Sequence, residues 1–588
     1  MNNRILVDVD YTYYMQHDDT LWFKQFATSN EFKFLKDHPI VYFCAEYAIN
    51  DVIPTYAGGL GILAGDIIRE AASQDIPLIA VGLYYHEGYL YHDLDKEGVV
   101  IKTQPLIDPS DVELTPVVDR QNNRIVVAIP IQDSLVSIQA WSLEIGSVKI
   151  YLLDTRIQEN AEGDRRITDR LYVASKEVRF KQELVLGLGG LRLLQALKIE
   201  PIGYHLNDGH SALLALEIAK YEMKKHQHTL QEELDNTRRH IFFTNHTLVA
   251  AGNDTYNADL ASVLLSGFAK ELEVPVNDIV RLGLVADSSI FSMTLLALRM
   301  ASKVNAVSKI HAEKAKEIWS DHPMIPITNG IHIKTWDKLS GNENIWEKHQ
   351  ENKRALLKYI HDATGVTWGE DALLLGWARR IVGYKRPLAL FEKLQEFKKI
   401  ADSSDRPIHV VLSGLSHEND LEGEVILKQI RKIVTEDLKG SVVYLPGYRM
   451  LIAQLMVAGC DVWLNTPIVG FEACGTSGMK AALNGVLPCS TADGWVAEAE
   501  LFKLGWLLQN ENLGEDIISI LTREIVPLYY NRDVNRVPQE WLKMMENARD
   551  MALNQFNATL MFKKYIEEFY LPVIRTHELK NSQPVASS

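Results

Sequence analysis

The stretch from Asp461-Val-Trp-Leu-Asn465 to Val486-Leu-Pro-Cys-Ser490 constrains this chain more than any other. Its two apolar runs read as buried strands, and between them a glycine-rich turn opens a helix: Glu472-Ala-Cys-Gly-Thr-Ser-Gly-Met-Lys480-Ala-Ala-Leu-Asn484-Gly485. The first turn of a helix has unpaired N–H groups and the positive end of the dipole, so a strand, glycine-rich loop and helix make an anion site. Gly475 and Gly478 are expected to let a ligand approach the backbone closely. Thr476 and Lys480 are four residues apart and share a helix face. An amine held there suits a charge clamp or a Schiff base to pyridoxal phosphate. The competing reading is an ordinary surface lysine, and the segment alone does not choose between them.

The same alternation recurs along the chain. Strand-like runs fall at 40–44, 78–84, 125–131, 241–244, 373–377, 409–413 and 442–445, with helical spacing over 171–197 and 421–434. This pattern indicates α/β layers with largely parallel sheets. Residues 135–154 differ: two alternating runs flank Gly146-Ser147 and predict a hairpin added to the first domain. At 588 residues the chain exceeds what one core serves, so two domains are expected. The boundary fits near 328–341, where Asn329-Gly330 and Ser340-Gly341 punctuate the chain, giving domains 1–334 and 335–588. A polar helix is expected over 345–360 and further helix over 538–570, with a disordered tail over 580–588.

A formal net charge of −16 argues against general affinity for nucleic acid or an anionic membrane, and it makes local basic clusters informative. The four cysteines, Cys44, Cys460, Cys474 and Cys489, lack metal-ligand spacing and sit in apolar segments, reading as reduced buried thiols. No apolar stretch is long enough for a bilayer span, and the start lacks the apolar core of a signal peptide, so cytoplasm is the expected location.

Arg379, Arg380, Lys385 and Arg386 place four cations within eight residues, directly after an expected strand. The carboxyl end of such a strand faces the ligand crevice of an open α/β sheet, where Arg and Lys clamp phosphate. The competing reading is a solvated cluster. Gly58-Gly-Leu-Gly61 supplies backbone that an oxyanion can approach, while a dinucleotide fingerprint fails there: Leu78, Ile79 and Ala80 stand where an acidic residue is needed. His205, Asp208 and His210 lie close together, yet no zinc-protease spacing is present and no metal ligand is expected. His246 follows a strand, a place where a lone histidine is more often structural.

These segments resemble, in order, those of the α-glucan phosphorylases in their short bacterial form. The resemblance rests on Phe43-Cys-Ala-Glu-Tyr47, Pro54-Thr-Tyr-Ala-Gly-Gly-Leu-Gly-Ile-Leu-Ala-Gly-Asp66, His205-Leu-Asn-Asp-Gly-His210, Thr244-Asn-His-Thr247, Thr328-Asn-Gly-Ile-His332, Arg379-Arg-Ile-Val-Gly-Tyr-Lys-Arg386 and Glu472-Ala-Cys-Gly-Thr-Ser-Gly-Met-Lys480. It implies an α/β fold of two Rossmann-like domains facing across a cleft (GT-B type), with a C-terminal helix returning to the first domain. It also implies pyridoxal 5'-phosphate on Lys480, with Arg379, Lys385, Thr476 and Tyr448 around the cofactor. Arg380 and the backbone of Gly58, Gly59 and Leu60 would contact the substrate phosphate. His246 would sit at the glucosyl C6 hydroxyl, and Asn329, Glu472, Cys474 and Gly475 would meet sugar hydroxyls. Lys480, Arg380, Lys385 and His246 would carry catalysis.

The expected reaction is phosphorolysis of a terminal α-1,4-glucosyl bond, yielding glucose 1-phosphate with retained configuration. Substrates would be α-1,4-glucan and inorganic phosphate, with homo-oligomerisation left open. A sugar-nucleotide glucosyltransferase of the glycogen-synthase kind would share the fold but not the lysine of Gly478-Met-Lys480. A catalytically silent glucan-binding relative is the other alternative, motivated by departures from the family pattern. Pro467-Ile-Val-Gly470 lacks a usual arginine pair, Cys474 replaces serine, and Leu415 replaces lysine.

Overall fold

The computed structural model describes residues 17–89, 91–94, 100–103, 106–248, 253–339, 344–417 and 420–582. The Ser340-Gly341 punctuation lies outside these residues. Two compact units are present. One, here the N-terminal unit, gathers described residues of 25–91, 102–328 and 561–582, and the other, the C-terminal unit, is built mainly on 329–560.

The C-terminal unit holds a six-stranded, wholly parallel sheet. Its spatial order is Val442–Leu445, Ile408–Ser413, Leu373–Ala378, Val462–Asn465, Leu487–Thr491, Trp506–Leu508. In chain order this is 3-2-1-4-5-6, the doubly wound order that reverses between the first strand and the fourth. Leu373–Ala378, Val462–Asn465 and Leu487–Thr491 are buried along their whole length, which is why they read as continuous apolar runs instead of alternating ones.

The N-terminal unit repeats the scheme in a sheet of ten strands among the described residues. Its parallel strands run Ile325–Pro326, Lys303–Ala306, Ile241–Asn245, Gly203–Asn207, Ile40–Cys44, Leu78–Leu83, Val148–Asp154. Here too the order reverses between the first strand, Ile40–Cys44, and the fourth parallel one, Gly203–Asn207. The hairpin expected over 135–154 is present: Ser134–Ile145 pairs antiparallel with Val148–Asp154, and Gly146 takes a φ of +55° at the turn.

The helix expected over 171–197 starts later, at Lys176, where Ser175 caps Lys176–Leu184, and it widens to a π turn over Val185–Gly189 before Gly190–Ala196. Its glycines are there for packing. A Cβ on Gly187 would stand 2.7 Å from the Leu214 nitrogen, and one on Gly190 would stand 2.5 Å from the Phe43 ring. The helix Leu571–Ser582 runs into the stretch expected to be disordered from 580, and the rest of that stretch lies outside the described residues. All four cysteines are buried and free. No described helix is long and apolar enough to cross a membrane.

Candidate active site

In the C-terminal unit the cations sit where the strand order reverses. Arg379 follows Leu373–Ala378 directly, is buried, and donates to Asn465 Oδ1 at the end of the neighbouring strand Val462–Asn465. Its other terminal nitrogen lies 2.8 Å from Glu472 Oε2, and Lys385 Nζ donates to the same oxygen at 2.7 Å. Glu472 is itself positioned through its backbone: Asp493 Oδ2 accepts from the Glu472 N–H at 2.8 Å and from the Phe471 N–H at 3.2 Å. Burial works against the Glu472 charge, but Arg379, Lys385 and Arg380 outweigh it and bring the carboxyl down to about 2. The cluster therefore carries more positive than negative charge, in a chain whose total is −16. That contrast makes it an anion-attracting spot.

The remaining cations divide by role. Arg380 is exposed and donates to His417 Nε2 at 2.6 Å. Arg386 has a φ of +45° and donates to the Thr466 and Pro467 carbonyls at 2.8 and 2.7 Å, bracing the loop that follows Val462–Asn465. Tyr448 is half-buried, and burial pushes its hydroxyl up to about 12 against the pull of Arg379.

Lys480 is not a surface lysine: 5% of it is exposed. Its amine lies 4.2 Å from the centre of the Trp336 ring and donates to Thr476 Oγ1 at 3.2 Å, so the shared helix face is real. The helix, Ser477–Leu483, is short, and Lys480 stands in its last turn. Gly475, at φ +80°, needs glycine, and a Cβ there would meet Arg379 Nη2 at 3.1 Å. Gly478 corrects the sequence reading: it lies inside the helix, where a Cβ would meet the Trp495 ring at 2.9 Å, so it serves packing and not ligand approach.

Cys474 is buried, and burial pushes its thiol up, so it acts as a neutral group. Asn329 is buried, and its Oδ1 has no hydrogen-bond partner. Leu415, the departure from lysine, contributes its carbonyl to the Ile381 N–H at 2.9 Å, a bond indifferent to side chain. Ile468 donates its N–H to the Tyr384 carbonyl at 2.8 Å, and Val469 is exposed.

In the N-terminal unit the corresponding strand ends hold a different chemistry. Gly58 precedes the helix Gly59–Ser73, whose first turn has no side-chain cap; Gly58 and Gly59 are exposed and Leu60 half-buried. Glu46, just past Ile40–Cys44, shapes this loop by accepting from the Ala57 and Gly58 N–H groups at 2.6 and 3.2 Å and from the Tyr172 hydroxyl at 2.7 Å. His246 Nε2 faces Asn207 Oδ1 at 2.5 Å, which puts the proton on Nε2 and leaves Nδ1 as the acceptor of the neutral ring. Burial pushes that imidazole down to about 3.

His205 is structural: Tyr570 donates to its Nδ1 at 2.7 Å, it donates from Nε2 to Thr244 at 2.7 Å, and Thr244 donates onward to Asn305. Asp208 holds a φ of +68°, a strained conformation of the kind that collects at functional sites. Burial, then the charges of Asp254 and Glu46, lift its carboxyl to about 7 against the Gly209 N–H. His205, Asp208 and His210 do not bring three ligand atoms together.

Glu46, Asn207, Trp336, Asn484 and Asp493 went unassigned in the sequence reading. Asn484 is the clearest case: fully buried, it donates to the Trp336 and Lys480 carbonyls at 2.8 Å each and accepts from the Lys338 N–H at 2.8 Å. It thereby ties the lysine helix to the segment carrying Trp336. Arg549 adds a paired contact to Asp337, 2.8 Å at each oxygen, and a bond to the Leu483 carbonyl.

Cations at the switch point of a doubly wound sheet, with a buried lysine in the same unit, are the features of the α/β class whose crevice suits anionic ligands. The carbohydrate phosphorylase profile matches residues 332–503, the stretch that holds Arg379, Lys385, Glu472 and Lys480. The maltodextrin phosphorylase of Thermococcus litoralis is 35% identical over 96% of this chain and 73% of its own length. Glycogen phosphorylases of Aquifex aeolicus and Mycobacterium tuberculosis are 32% and 31% identical, covering 97% and 91% of this chain and 91% and 71% of theirs. The chain belongs to the carbohydrate phosphorylase family, enzymes of the glycosyltransferase type.

Proposed function

We propose that this chain is an α-1,4-glucan phosphorylase. It releases glucose 1-phosphate from the ends of glycogen or maltodextrin with inorganic phosphate, and configuration is retained. Relatives named for glycogen and maltodextrin phosphorolysis support the substrate class. The observation that carries the chemistry is the buried Arg379–Glu472–Lys385 cluster at a strand-order switch, in the same unit as the buried amine of Lys480.

The residues present fit pyridoxal phosphate. A buried amine that shares a face with a hydroxyl suits covalent attachment, and two buried cations suit a phosphate-bearing ligand. Lys480 would hold the cofactor, with Arg379, Lys385, Thr476 and Tyr448 around it. When bound, its phosphate supplies a group that exchanges a proton with the substrate phosphate.

The chain's own residues do the rest. Arg380 and the backbone of Gly58, Gly59 and Leu60 bind the substrate phosphate, and Asn329, Glu472, Cys474 and Gly475 orient sugar hydroxyls. His246, neutral and protonated on Nε2, offers Nδ1 to a hydroxyl. In the reaction the C1–O4 bond breaks, a phosphate proton goes to O4, and a phosphate oxygen bonds C1 on the face the leaving oxygen occupied, which gives retention. Charge that develops as the oxocarbenium-like state forms is met by the cations and the loop N–H groups. The reading includes a GT-B arrangement, with domains 1–334 and 335–588 and the last helix returning to the first, acting in the cytoplasm.

Borohydride reduction of cofactor-supplemented protein, followed by peptide mass mapping, tests the assignment. The adduct is expected on Lys480. An adduct on another lysine, or none, sinks it.

A further inference from the structure

Away from these strand ends, two histidines and a glutamate of the N-terminal unit converge. The helix Leu214–His226 ends because Gln227 adopts the left-handed conformation, φ +59°, which reverses the chain and returns His228 beside His226 with ring centres 5.5 Å apart. The next helix, Leu230–Arg238, begins in a full capping box: Thr229 accepts from the Glu232 N–H while Glu232 reaches back to the Thr229 N–H. This fixes the first turn and with it Glu233.

Glu233 is fully buried, yet its Oε1 takes Nδ1 of His226 at 3.0 Å and Nδ1 of His228 at 2.6 Å. Its other oxygen accepts from Asn236 Nδ2 at 3.1 Å. Among the described residues this is the group of His, Cys, Asp and Glu side chains whose ligand atoms come together, all within 4.8 Å of one another. A second carboxylate, Glu222 Oε2, lies 3.6 Å from His226 Nδ1.

We propose that His226, His228 and Glu233 bind a divalent transition-metal ion of the zinc class, through Nδ1 of both imidazoles and Oε1 of the carboxylate. Water or Glu222 completes the shell. Imidazole nitrogens with one carboxylate suit zinc, cobalt or nickel, whereas calcium and magnesium take oxygen ligands. Zinc bonds of about 2.0–2.2 Å put neighbouring tetrahedral ligands about 3.3 Å apart, so the ion needs the imidazoles to move outward by a few tenths of an ångström. Both are free to do so, with side chains 37% and 49% exposed. The Asn236 bond is the outer contact that aims a ligating carboxylate. An ion here would pin the end of one helix to the start of the next.

The test is calorimetric titration of the tag-free, full-length chain, stripped with chelator and kept in phosphate-free buffer, with zinc and separately with magnesium. One saturable zinc per chain is expected, with a rise in Tm, and no response to magnesium. His228→Gln and His226→Gln each weaken zinc binding about tenfold or more, and Asn236→Ala weakens it by about ten- to a hundredfold. Phosphorolysis by these variants stays at the wild-type level, since none of these side chains belongs to the site above. Zinc binding unchanged in the His226→Gln/His228→Gln double variant overturns the proposal, as does a wild-type chain without saturable binding.

Discussion

The two units present the same crevice of a doubly wound sheet with opposite electrostatics. In the C-terminal unit, the switch between Leu373–Ala378 and Val462–Asn465 holds Arg379, Lys385 and a Glu472 kept ionised at about 2 by its cations. In the N-terminal unit, the switch between Ile40–Cys44 and Gly203–Asn207 borders His246, neutral down to about 3, and Asp208, lifted to about 7. Burial is common to both. What differs is whether a counter-charge lies within reach, and that decides whether a buried group keeps its charge. One set of strand ends therefore keeps its buried charges, and the other carries a neutral imidazole and a carboxyl that burial pushes toward its neutral form.

The largest effect expected is from Lys480→Ala, which removes the amine between Thr476 and Trp336. Activity should fall to background with cofactor added, measured as glucose 1-phosphate release. Retained activity would break the charged half of the comparison at its root. Next is Glu472→Gln. It leaves Arg379 and Lys385 buried without their carboxylate, and should cost about 3–5 kcal/mol of stability by denaturant titration. Because the vacancy is cationic, added phosphate should raise Tm more in this variant than in the wild type. Equal responses would mean that the cluster is a structural ion pair and not an anion site.

Arg380→Ala should lose about 2–4 kcal/mol of transition-state stabilisation, read from kcat/KM with phosphate as the varied substrate. Wild-type phosphate kinetics would put the clamp elsewhere.

The pH slopes sharpen the comparison further, because their signs oppose. Glu472 has a pKa depressed from 4.5 to about 2, so its contribution is present above about 4.5 and is lost as pH falls through about 2. Asp208 is raised from 3.8 to about 7, so its contribution is present below about 3.8 and is lost as pH rises through about 7. Asp208→Asn keeps the acceptor for Gly209 N–H and removes the charge. Its unfolding free energy should exceed that of the wild type by a margin that grows from about pH 4 to about pH 7 and levels off above, of order one to a few kcal/mol. A pH-independent difference would contradict the lifted carboxyl.

The smallest effect is expected at the exposed loop: replacing Ile468 and Val469 by arginine should shift glucan KM or chain-length preference and leave kcat within a few fold, the pattern of uniform binding contacts. Steady-state kinetics across maltooligosaccharide lengths decide it, and unchanged selectivity in a less stable protein removes the binding role.

Much of the layer pattern was legible because buried parallel strands are apolar throughout. The runs at 40–44 and 442–445 and the hairpin at Gly146 fall where expected. The Thr476–Lys480 pairing was legible because a helix face is a local property. Gly478 was misread because the ring it packs on, Trp495, is placed by a separate turn, and a glycine that serves packing looks in sequence like one that serves a ligand. Glu46, Asn484 and Trp336 escaped for a related reason: each acts on a segment that only the fold brings near, and no spacing rule links such pairs. The strand-order switches, which explain why Arg379 and Asp208 stand where they do, depend on which strands pair, and hydrophobic periodicity is silent on that.

The central claim, that this chain phosphorolyses α-1,4-glucan with retention of configuration, is tested most directly by NMR of the purified chain with maltoheptaose, inorganic phosphate and pyridoxal phosphate. α-Glucose 1-phosphate is expected to accumulate as phosphate declines, only when the cofactor is supplied, with no free glucose released from the non-reducing ends. Free glucose without the phosphate ester, or a β-configured product, would contradict it.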